Sequence, residues 1–542
     1  MRLLSLAAAL LLAAPLAHAQ QPDTARYDLL IAGGTVIDGT GAPRYRADVA
    51  IRGDRVVRVS RAALDRSRAR RVIDATGRVV APGFIDLHAH LEPLLAMPGA
   101  ESAVRQGVTT ALGGPDGSSP LPLAPYMDSV TRAGVAINVA YLVGHGSIRR
   151  TVLGMADRAP SPAELARMTA MVREAMRDGA FGLSTGLKYL PGTFAKTDEV
   201  IALARAAADS GGIYTSHLRE EGLGLLDGVA EAIRIGRDAH IPIVLTHHKV
   251  VGKPMWGASV TTLAMVDSAR RAGVDVMIDQ YPYTASHTGL NVLIPSWALA
   301  GGDSAFVRRL GSPALRDSMR RGVVENIMND RGGGDIARVQ FARVTWDKSL
   351  EGKTLADWAR REGKAPTPEN GATLVLEAER RGGANAIFHV IDERDVERIM
   401  RHPQTMIASD GRLSRPGDGH PHPRAYGTFP RVLGVYAREK RLLTLEEAVH
   451  KMTGMPAARL GLADRGRLAE GAAADVVVFD PATVRDQSTY EAPHQYPAGI
   501  PYVIVNGAVA VDGGVPNGAR AGRVLRRIGT RDSGLGTRNS GA

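Results

Sequence analysis

The sequence predicts an α/β protein in which a (β/α)8, TIM-like barrel is joined to a small β-sandwich built from both ends of the chain. At 542 residues, the chain is too long for one ordinary compact core. Its central part alternates apolar segments with helical stretches, which is the pattern of parallel βαβ units. Both ends instead carry short β-forming segments separated by glycine-rich turns. These observations indicate a barrel with a second, smaller domain.

Residues 1–19 have the composition of a cleaved secretory signal peptide. Arg2 gives a basic start, an apolar stretch runs from Leu3 to Ala17, and Ala17-His18-Ala19 forms an A-x-A cleavage site. A transmembrane anchor needs about 20 apolar residues, and this stretch is shorter. We therefore expect a periplasmic or secreted protein that is not attached to the membrane after cleavage.

The β-sandwich is expected to combine residues 20–82 with residues 456–520. In the first part, the apolar residues 29–32 end at two glycines, and in the second part residues 475–479 read Asp-Val-Val-Val-Phe. From Gly529 onward the chain is mostly Gly, Ser, Thr and Arg, and we expect residues 521–542 to form a disordered tail.

The barrel is expected to span residues 83–455, but the sequence offers one strand too many. The candidate strands end near His88, Leu112, Val143, Ser184, His217, His247, Tyr281, Val390 and Asp410. We expect the Tyr281 or the Val390 segment to belong to an insertion, because residues from about 288 to 385 fit no single βα unit. In such barrels the chemistry lies at the C-terminal ends of the strands.

The amino-acid composition of the chain excludes some classes of site and of ligand. The chain has no cysteine, so disulfides are excluded and any metal must be held by nitrogen and oxygen. Its 67 Lys and Arg against 56 Asp and Glu give a net charge of +11, but aromatic residues are scarce and no dense basic stripe is present. Nucleic-acid binding is therefore not expected. A basic surface favours a small anionic substrate, and we expect a monomer.

The most informative pattern is His88-Ala89-His90, at the end of an apolar segment. Side chains two residues apart on a strand point the same way, so the two imidazoles converge. Such a pair suits a divalent metal, most commonly zinc. Histidines or an aspartate recur where three later apolar segments end, at His217, His247 and Asp410. The recurrence predicts a metal site at one end of the barrel.

Several ordered motifs resemble one known family. They are GFIDLHAHLE, FGLSTGLKYLPG, YTSHLREEG, LTHHKVVG, DQYPYTAS, IASDG, GHPHPRAYGTFPRVLG and ADVVVFDP, spread over residues 27–515. The chain resembles the N-acyl-D-amino-acid deacylase (D-aminoacylase) family of the amidohydrolase superfamily. The resemblance implies a metal-dependent hydrolase of linear amide bonds with one tightly bound Zn²⁺, and leaves a second ion open.

The resemblance also assigns roles to individual residues. It implies that His217 and His247 hold the tightly bound metal. His88, His90 and Asp410 would complete the site, with Asp410 also the general base that later returns its proton to the leaving amine. The substrate carboxylate would be bound by three further residues, Lys249, Tyr281 and Arg424.

The chain departs from the family where a cysteine ligand is expected, in the turn after the second strand. The matching turn is Gly114-Pro115-Asp116-Gly117. Asp116 can replace the thiolate as an oxygen ligand, or it can be an ordinary turn aspartate that bonds its own backbone. Lys188 is a second candidate, as a carboxylated lysine, although an ordinary surface lysine fits its position better.

Four functions are compatible with these residues to different degrees. The first is an exported zinc deacylase that converts N-acyl-D-amino acids to a carboxylate and a D-amino acid. The second is an exported dipeptidase that cleaves before a D-residue. A cyclic-amide hydrolase is disfavoured because Lys249 and Arg424 anticipate a free carboxylate. A metal-binding barrel without activity is disfavoured because it would not need Asp410 as a proton shuttle.

Overall fold

A computed structural model describes residues 26–527 of the chain. The predicted signal peptide, residues 1–19, lies outside the described residues, as do residues 528–542 of the predicted tail. Within the part that is described, no helix is both long enough and apolar enough to cross a bilayer.

The N-terminal part of the small β domain has five strands. They are β1 (Tyr27–Val36), β2 (Tyr45–Arg52), β3 (Arg55–Ser60), β4 (Ala69–Asp74) and β5 (Val79–Pro82). β2 lies antiparallel between β1 and β3, whereas β4 and β5 both run parallel to β1. β5 leads directly into the barrel.

The first seven positions of the barrel are filled by parallel strands in chain order. They are β6 (Phe84–Asp86) with the short β7 (Ala89–His90), β8 (Val108–Gly113), β9 (Asn138–Tyr141) with β10 (Val143–Gly144), β11 (Gly182–Gly186), β12 (Ile213–His217), β13 (Ile243–Leu245) and β14 (Val276–Gln280). β9 and β10 together form the third position. All seven end on the same side of the barrel, because neighbouring strands pair in parallel.

Helices follow the strands and cover the outside of the barrel. They are α1 (Glu101–Val104), α2 (Leu123–Ala133), α3 (His145–Leu153), α4 (Pro162–Arg177), α5 (Thr197–Ala208), α6 (Leu225–Ala239) and α7 (Ser259–Arg271). α6 buries Leu225, Val229 and Ala232, which recur at helical spacing and form one apolar face. α4 begins with a capping box between Ser161 and Glu164.

The insertion after the seventh barrel strand forms a unit with its own core. It contains β15 (Ser286–Gly289), β16 (Val339–Arg343) and β17 (Asn385–Phe388), in the antiparallel order β15-β17-β16, together with α8 (Ser296–Leu299), α9 (Asp303–Gly311), α10 (Pro313–Asn329), α11 (Leu355–Arg361) and α12 (Pro368–Arg380). Phe341, Trp358 and Phe388 are buried between these elements. β17 is the extra segment near Val390, so the Tyr281 segment, β14, belongs to the barrel.

The eighth strand closes the barrel. After α13 (Glu393–Arg401) come β18 (Thr405–Ile407), which pairs with β14, and β19 (Gly411–Arg412), which pairs with β7 beside the first strand. The chain continues through α14 (Arg424–Arg431), a π-helical segment (Val432–Glu439), α15 (Leu445–Met452) and α16 (Gly454–Leu460). The first and last strands are thus adjacent, and their C-terminal ends meet at the mouth of the barrel.

Four C-terminal strands complete the small β domain. They are β20 (Val476–Phe479), β21 (Tyr502–Val505), β22 (Ala508–Asp512) and β23 (Val515–Pro516). β20 pairs with β5, which joins both ends of the chain in one nine-stranded sheet. The amide of Val56 donates to the carbonyl of Ala472 at 2.9 Å, so the sheet curls back around its core. The predicted α/β barrel with a small domain built from both termini is confirmed.

Residues 521–527, which the sequence places in a disordered tail, instead lie against the barrel. The amide of Gly522 donates to the carbonyl of Val135 at 2.8 Å, and that of Leu525 donates to Val139 at 2.7 Å. A Cβ at position 522 would lie 2.1 Å from the carbonyl oxygen of Ile137, so only glycine permits this approach. Backbone hydrogen bonds to the barrel, which composition does not reveal, therefore fix this segment.

A buried polar network connects the β domain to the barrel. Asp475 forms an ion pair with Arg465, accepts a hydrogen bond from the amide of Asn506 at 2.7 Å, and accepts another from the side chain of Asn138, in β9, at 3.0 Å. Asp475 and Arg465 are both buried. Removing one partner of a buried ion pair leaves the other charge uncompensated.

We expect Asp475→Ala to lower the free energy of unfolding by about 3–5 kcal/mol. Asp512→Ala is the matched control, because Asp512 pairs with Arg71 at 2.8 Å while its side chain remains 40% exposed. The control should cost less than about 1 kcal/mol. Urea unfolding followed by tryptophan fluorescence measures both, and equal losses would contradict the importance of this network.

Candidate active site

The first two histidines lie where the first barrel strand ends. His88 is fully buried and His90 is partly buried, and their ring centroids are 5.7 Å apart. Asp86 fixes this strand end, because its carboxylate accepts hydrogen bonds from the amide of His88 at 3.2 Å and from the amide of Ser409 at 2.9 Å. Asp86 thereby connects the first strand to the eighth and sets the position of the pair.

The turn after β8 brings Asp116 into the same site. Asp116 has a φ of 54°, between two glycines that also have positive φ, and the hydroxyl of Ser184 donates to the carbonyl of Gly114 at 2.6 Å. Its Oδ1 lies 3.3 Å from His88 Nε2 and its Oδ2 lies 3.5 Å from His90 Nε2. The turn therefore directs the carboxylate at the histidines rather than at its own backbone.

The fifth and sixth strands supply the other two histidines. His217 Nδ1 lies 2.7 Å from His247 Nε2, and His247 Nε2 lies 3.3 Å from Asp116 Oδ1. Asp279 accepts a hydrogen bond from the amide of His247 at 2.6 Å, which fixes the backbone where the sixth strand ends. Burial lowers the pKa of His217 to about 3, so its imidazole is neutral and has a free lone pair.

Asp410 enters from the end of the eighth strand, also with a positive φ, of 48°. Its Oδ1 lies 3.2 Å from His90 Nε2, and its Oδ2 lies 2.6 Å from Arg424 Nη1. Burial favours the neutral acid, but the Arg424 guanidinium and the neighbouring imidazoles lower the pKa of Asp410 below its usual range. Asp410 is therefore ionised.

These residues form two possible metal-ligand groups that share Asp116. One group contains His88, His90, Asp116 and Asp410, and the other contains Asp116, His217 and His247, with the ligand atoms of each group within 4.8 Å of one another. Asp116 Oδ1, His217 Nε2 and both ring nitrogens of His88 are buried and accept or donate no hydrogen bond among residues 26–527. Buried polar atoms are normally satisfied. Bound cations would satisfy them.

Comparison with known proteins agrees with this geometry. The amidohydrolase family model matches residues 71–309 and 336–511. The chain is 41% identical to the N-acyl-D-glutamate deacylase of Alcaligenes xylosoxydans xylosoxydans over 93% of this chain and 97% of the relative. The chain belongs to the N-acyl-D-amino-acid deacylase family of amidohydrolases. The resemblance inferred from its motifs is confirmed.

Two solved structures of deacylases are similar along nearly the whole chain. One is the N-acyl-D-glutamate deacylase of Bordetella bronchiseptica with zinc and a phosphonate inhibitor that mimics the tetrahedral intermediate. It is 38% identical with a TM-score of 0.80, over 92% of this chain and 100% of that one. The other is a D-aminoacylase studied for one-metal activation and second-metal attenuation of its binuclear metal centre. It is 39% identical with a TM-score of 0.79, at the same coverages.

A cavity of about 420 Å³ opens onto the metal-ligand groups of this amidohydrolase. We call it the catalytic cavity. Asp116, the ligand shared by both groups, lines it together with His90, Tyr189, His287, Asp410 and Arg424. The cavity lies at the C-terminal ends of the barrel strands, as expected for this fold. Arg424 is thus the predicted carboxylate-binding residue that lines it directly.

Lys249 and Tyr281, the other two predicted carboxylate-binding residues, do not belong to the wall of the catalytic cavity. Lys249 points the same way as His247, as predicted, and its Nζ lies 2.8 Å from His247 Nδ1. Its ammonium is buried and pairs with Glu221 at 2.5 Å. The Arg424 guanidinium carbon lies 4.7 Å from the centre of the Tyr281 ring. The contacts therefore give both residues a supporting position beneath the site.

Lys188 is also away from the metal-ligand groups of the amidohydrolase. Its ammonium pairs with Glu220 at 2.8 Å and lies 3.7 Å from Asp330. A lysine that bridged metals would have to point at the histidines as a carbamate. The ammonium of Lys188 is thus engaged by carboxylates outside the two ligand groups, whereas Asp116 belongs to both groups.

Sequence reasoning missed Glu221, the central buried anion of the site. Its carboxylate lies 3.5 Å from His217 Nε2 and 3.3 Å from His247 Nδ1, and pairs with Lys249 and with Arg331 at 2.8 Å. Nearby cations outweigh the effect of burial and hold the pKa of Glu221 well below its usual range. The spacing of Glu221, four residues after His217, was the available signal.

Proposed function

We propose that this chain is an exported, zinc-dependent hydrolase that cleaves the amide bond of N-acyl-D-amino acids, releasing a carboxylate and a D-amino acid. One observation carries the proposal. Four histidines, two aspartates and Arg424 meet at the mouth of a barrel whose chain is closely related to N-acyl-D-amino-acid deacylases. Export is proposed from the signal-like residues 1–19.

The ligand atoms fit zinc, which accepts imidazole nitrogen and carboxylate oxygen. Asp116, His217 and His247 would hold the tightly bound ion, and His88, His90 and Asp410 would share Asp116 for a second one. When bound, zinc polarises the scissile carbonyl and lowers the pKa of a water molecule to about 7. The orphaned buried atoms of His88 and Asp116 support this use of the site.

Asp410 is the proposed proton shuttle. Its carboxylate faces both His90 and Arg424, so it can reach a water molecule at the metal-ligand groups and the amine that leaves. It takes a proton from the water and returns it to the amine nitrogen, which would otherwise be a very poor leaving group. A substrate carboxylate at Arg424 competes with Asp410 for the guanidinium, and this leaves Asp410 free to accept the proton.

Arg424 is the proposed anchor for the carboxylate of the substrate. Its guanidinium lines the catalytic cavity and stacks on Tyr281, which holds the charge in place. The planar fork of an arginine matches a carboxylate with two parallel hydrogen bonds. This geometry favours linear N-acyl amino acids over cyclic amides, which have no free carboxylate.

The test is an assay of the zinc-loaded enzyme on matched N-acetyl-D- and N-acetyl-L-amino acids and on L,D-dipeptides. We expect hydrolysis of the D-acyl compounds, with a kcat/KM at least about tenfold above that of the L-compounds, since a misplaced reacting group costs more than tenfold. Preference for the dipeptides would replace deacylation by peptidase activity. Equal rates on both enantiomers would remove the D assignment.

A further inference from the structure

The two histidines of the proposed tight zinc site each point one ring nitrogen into the site. His217 Nδ1 and His247 Nε2 lie 2.7 Å apart, and they lie 3.8 Å and 3.3 Å from Asp116 Oδ1. These are the nitrogens that face the third proposed ligand. The other two nitrogens, His217 Nε2 and His247 Nδ1, point away from this group toward the surrounding protein.

One carboxylate, that of Glu221, faces both of these outer nitrogens. Its Oε2 lies 3.5 Å from His217 Nε2, and its Oε1 lies 3.3 Å from His247 Nδ1. A histidine that binds a metal through one nitrogen carries its proton on the other, and usually donates that proton to a carboxylate or a carbonyl. His217 Nε2 has no hydrogen-bond partner within residues 26–527. Glu221 is therefore the acceptor placed for its proton.

Each carboxylate oxygen of Glu221 is also held by one cation. Lys249 Nζ donates to Oε1 at 2.5 Å, and Arg331 Nη2 donates to Oε2 at 2.8 Å. All three residues are buried. Because the two cations hold different oxygens, they oppose any rotation of the carboxylate away from the histidines.

Lys249 makes the protonation of the His247 ring depend on Glu221. Lys249 Nζ lies 2.8 Å from His247 Nδ1 as well as 2.5 Å from Glu221 Oε1. If the ammonium donated to Nδ1, the proton of the neutral imidazole would be on Nε2, the nitrogen that faces the metal-ligand group. The carboxylate attracts the ammonium and accepts the N–H of Nδ1. It therefore favours the form of His247 in which Nε2 keeps its lone pair.

Arg331 reaches Glu221 from the insertion, in the turn that follows α10. Its Nη1 also donates to Ser286 Oγ at 3.4 Å, so two contacts orient the guanidinium. The turn itself is tight, because a Cβ at Gly332 would lie 2.4 Å from the carbonyl oxygen of Ile327. The backbone of the insertion thus fixes the place from which Arg331 holds the carboxylate.

We propose that Glu221 is a positioning residue for the metal-binding forms of His217 and His247, and that Arg331 holds it in place. The inference rests on the proposed zinc ligands of this hydrolase and goes beyond them. Among the residues described, none from the insertion belongs to a metal-ligand group. The insertion would instead strengthen zinc binding through a chain of contacts that runs from Arg331 through Glu221 to the outer nitrogens of two ligands.

The experiment measures the dissociation constant for zinc by competition with a chromophoric chelator. Glu221→Gln keeps the size of the side chain but removes its charge. We expect it to weaken zinc binding by about 10- to 100-fold, as other outer-shell partners of metal ligands do, and to change the visible absorption of the cobalt-loaded protein. Glu220→Gln is the matched control, because Glu220 is the preceding residue and pairs with Lys188 outside both ligand groups. It should keep wild-type values.

Arg331→Met separates position from charge. Loss of a positive charge near a site for a dication would by itself strengthen zinc binding, whereas loss of the contact that holds Glu221 should weaken it. We expect binding about tenfold weaker than in wild type, with partial recovery in Arg331→Lys. An arginine with only a structural role would lower the melting temperature, but it would leave the zinc affinity and cobalt absorption of the folded protein unchanged.

Wild-type zinc affinity in folded Glu221→Gln would overturn the inference, and tighter binding in Arg331→Met would remove Arg331 from it. Thermal melting checks that each variant is folded. If Glu221→Gln does not fold, Glu221→Asp replaces it, because it keeps the charge but withdraws the carboxylate from both imidazoles, and it should also weaken zinc binding. The proposed function fails separately: zinc-loaded wild type that hydrolyses no N-acetyl-D-amino acid would contradict deacylation, while the comparison of zinc affinities would stand.

Discussion

Asp410→Asn is expected to lower kcat by about 10²- to 10⁴-fold, the usual contribution of a general acid–base group. The amide keeps the size of the side chain and an oxygen for His90, but it cannot take a proton from water and return it to the amine. The group formed by Asp116, His217 and His247 does not include Asp410. The variant should therefore retain the zinc held there, measured by elemental analysis after gel filtration.

The control for this variant is Asp227→Asn, at an exposed position in α6. It should keep wild-type kcat and zinc content. The choice of leaving group gives a second readout, because a proton shuttle contributes most to the rate when the amine is a poor leaving group. We expect N-acyl compounds with activated leaving groups to be less affected by Asp410→Asn than ordinary substrates. Full activity of the variant would refute the proposed role.

The positions of the proposed metal ligands could be predicted because they depend on strand periodicity. His88 and His90 are two apart at a strand end, and His217, His247 and Asp410 each follow an apolar segment. In a parallel barrel, equivalent strand ends meet at one mouth. Local spacing in the sequence therefore predicted that residues far apart along the chain lie together at the mouth of the barrel.

The supporting charges could not be predicted in the same way. Glu221 faces two histidines, Lys249 and Arg331, and Arg331 comes from the insertion, 110 residues away along the chain. No periodicity connects these positions. The two-residue spacing between His247 and Lys249 predicted that both side chains point the same way. The pairing of Lys249 with Glu221 could not be predicted, because it depends on how the loop after the fifth strand folds back over the barrel.

The nine strand candidates show a related limit. β14 and β17 are both short and combine apolar with polar residues, so composition cannot rank them. The hydrogen-bonding partners distinguish them: β14 pairs in parallel with β13 and β18, whereas β17 pairs antiparallel with β15 and β16. Long-range pairing, rather than local sequence, decides which strand belongs to the barrel.

Asp116→Ala is expected to weaken zinc binding at least about tenfold, since the loss of even an outer-shell partner has an effect of 10- to 100-fold. Asp116 lies within 3.3 Å to 3.8 Å of ring nitrogens of His88, His90, His217 and His247. Imidazoles of His88 and His247 outweigh burial and keep the pKa of Asp116 well below its usual value. Its removal takes a charged oxygen from both ligand groups.

Asp116→Cys separates a ligand from a turn residue. A thiolate can replace the carboxylate at a metal, whereas it is a poor substitute for an aspartate that caps a turn. We expect the cobalt-loaded cysteine variant to show a thiolate-to-metal charge-transfer absorption and to bind zinc more tightly than Asp116→Ala. Asp227→Cys, with an exposed thiol far from the site, is the control and should show no such band.

The two variants together test whether carboxylate chemistry has replaced thiolate chemistry at this position. If Asp116→Ala keeps wild-type zinc affinity and Asp116→Cys gives no absorption, Asp116 only shapes the turn between Gly114 and Gly117. The distances favour the other result, because Oδ1 is buried without a hydrogen-bond partner and points at three imidazoles. A carboxylate cannot be oxidised as a thiolate can, which suits a protein proposed to act in an oxidising compartment.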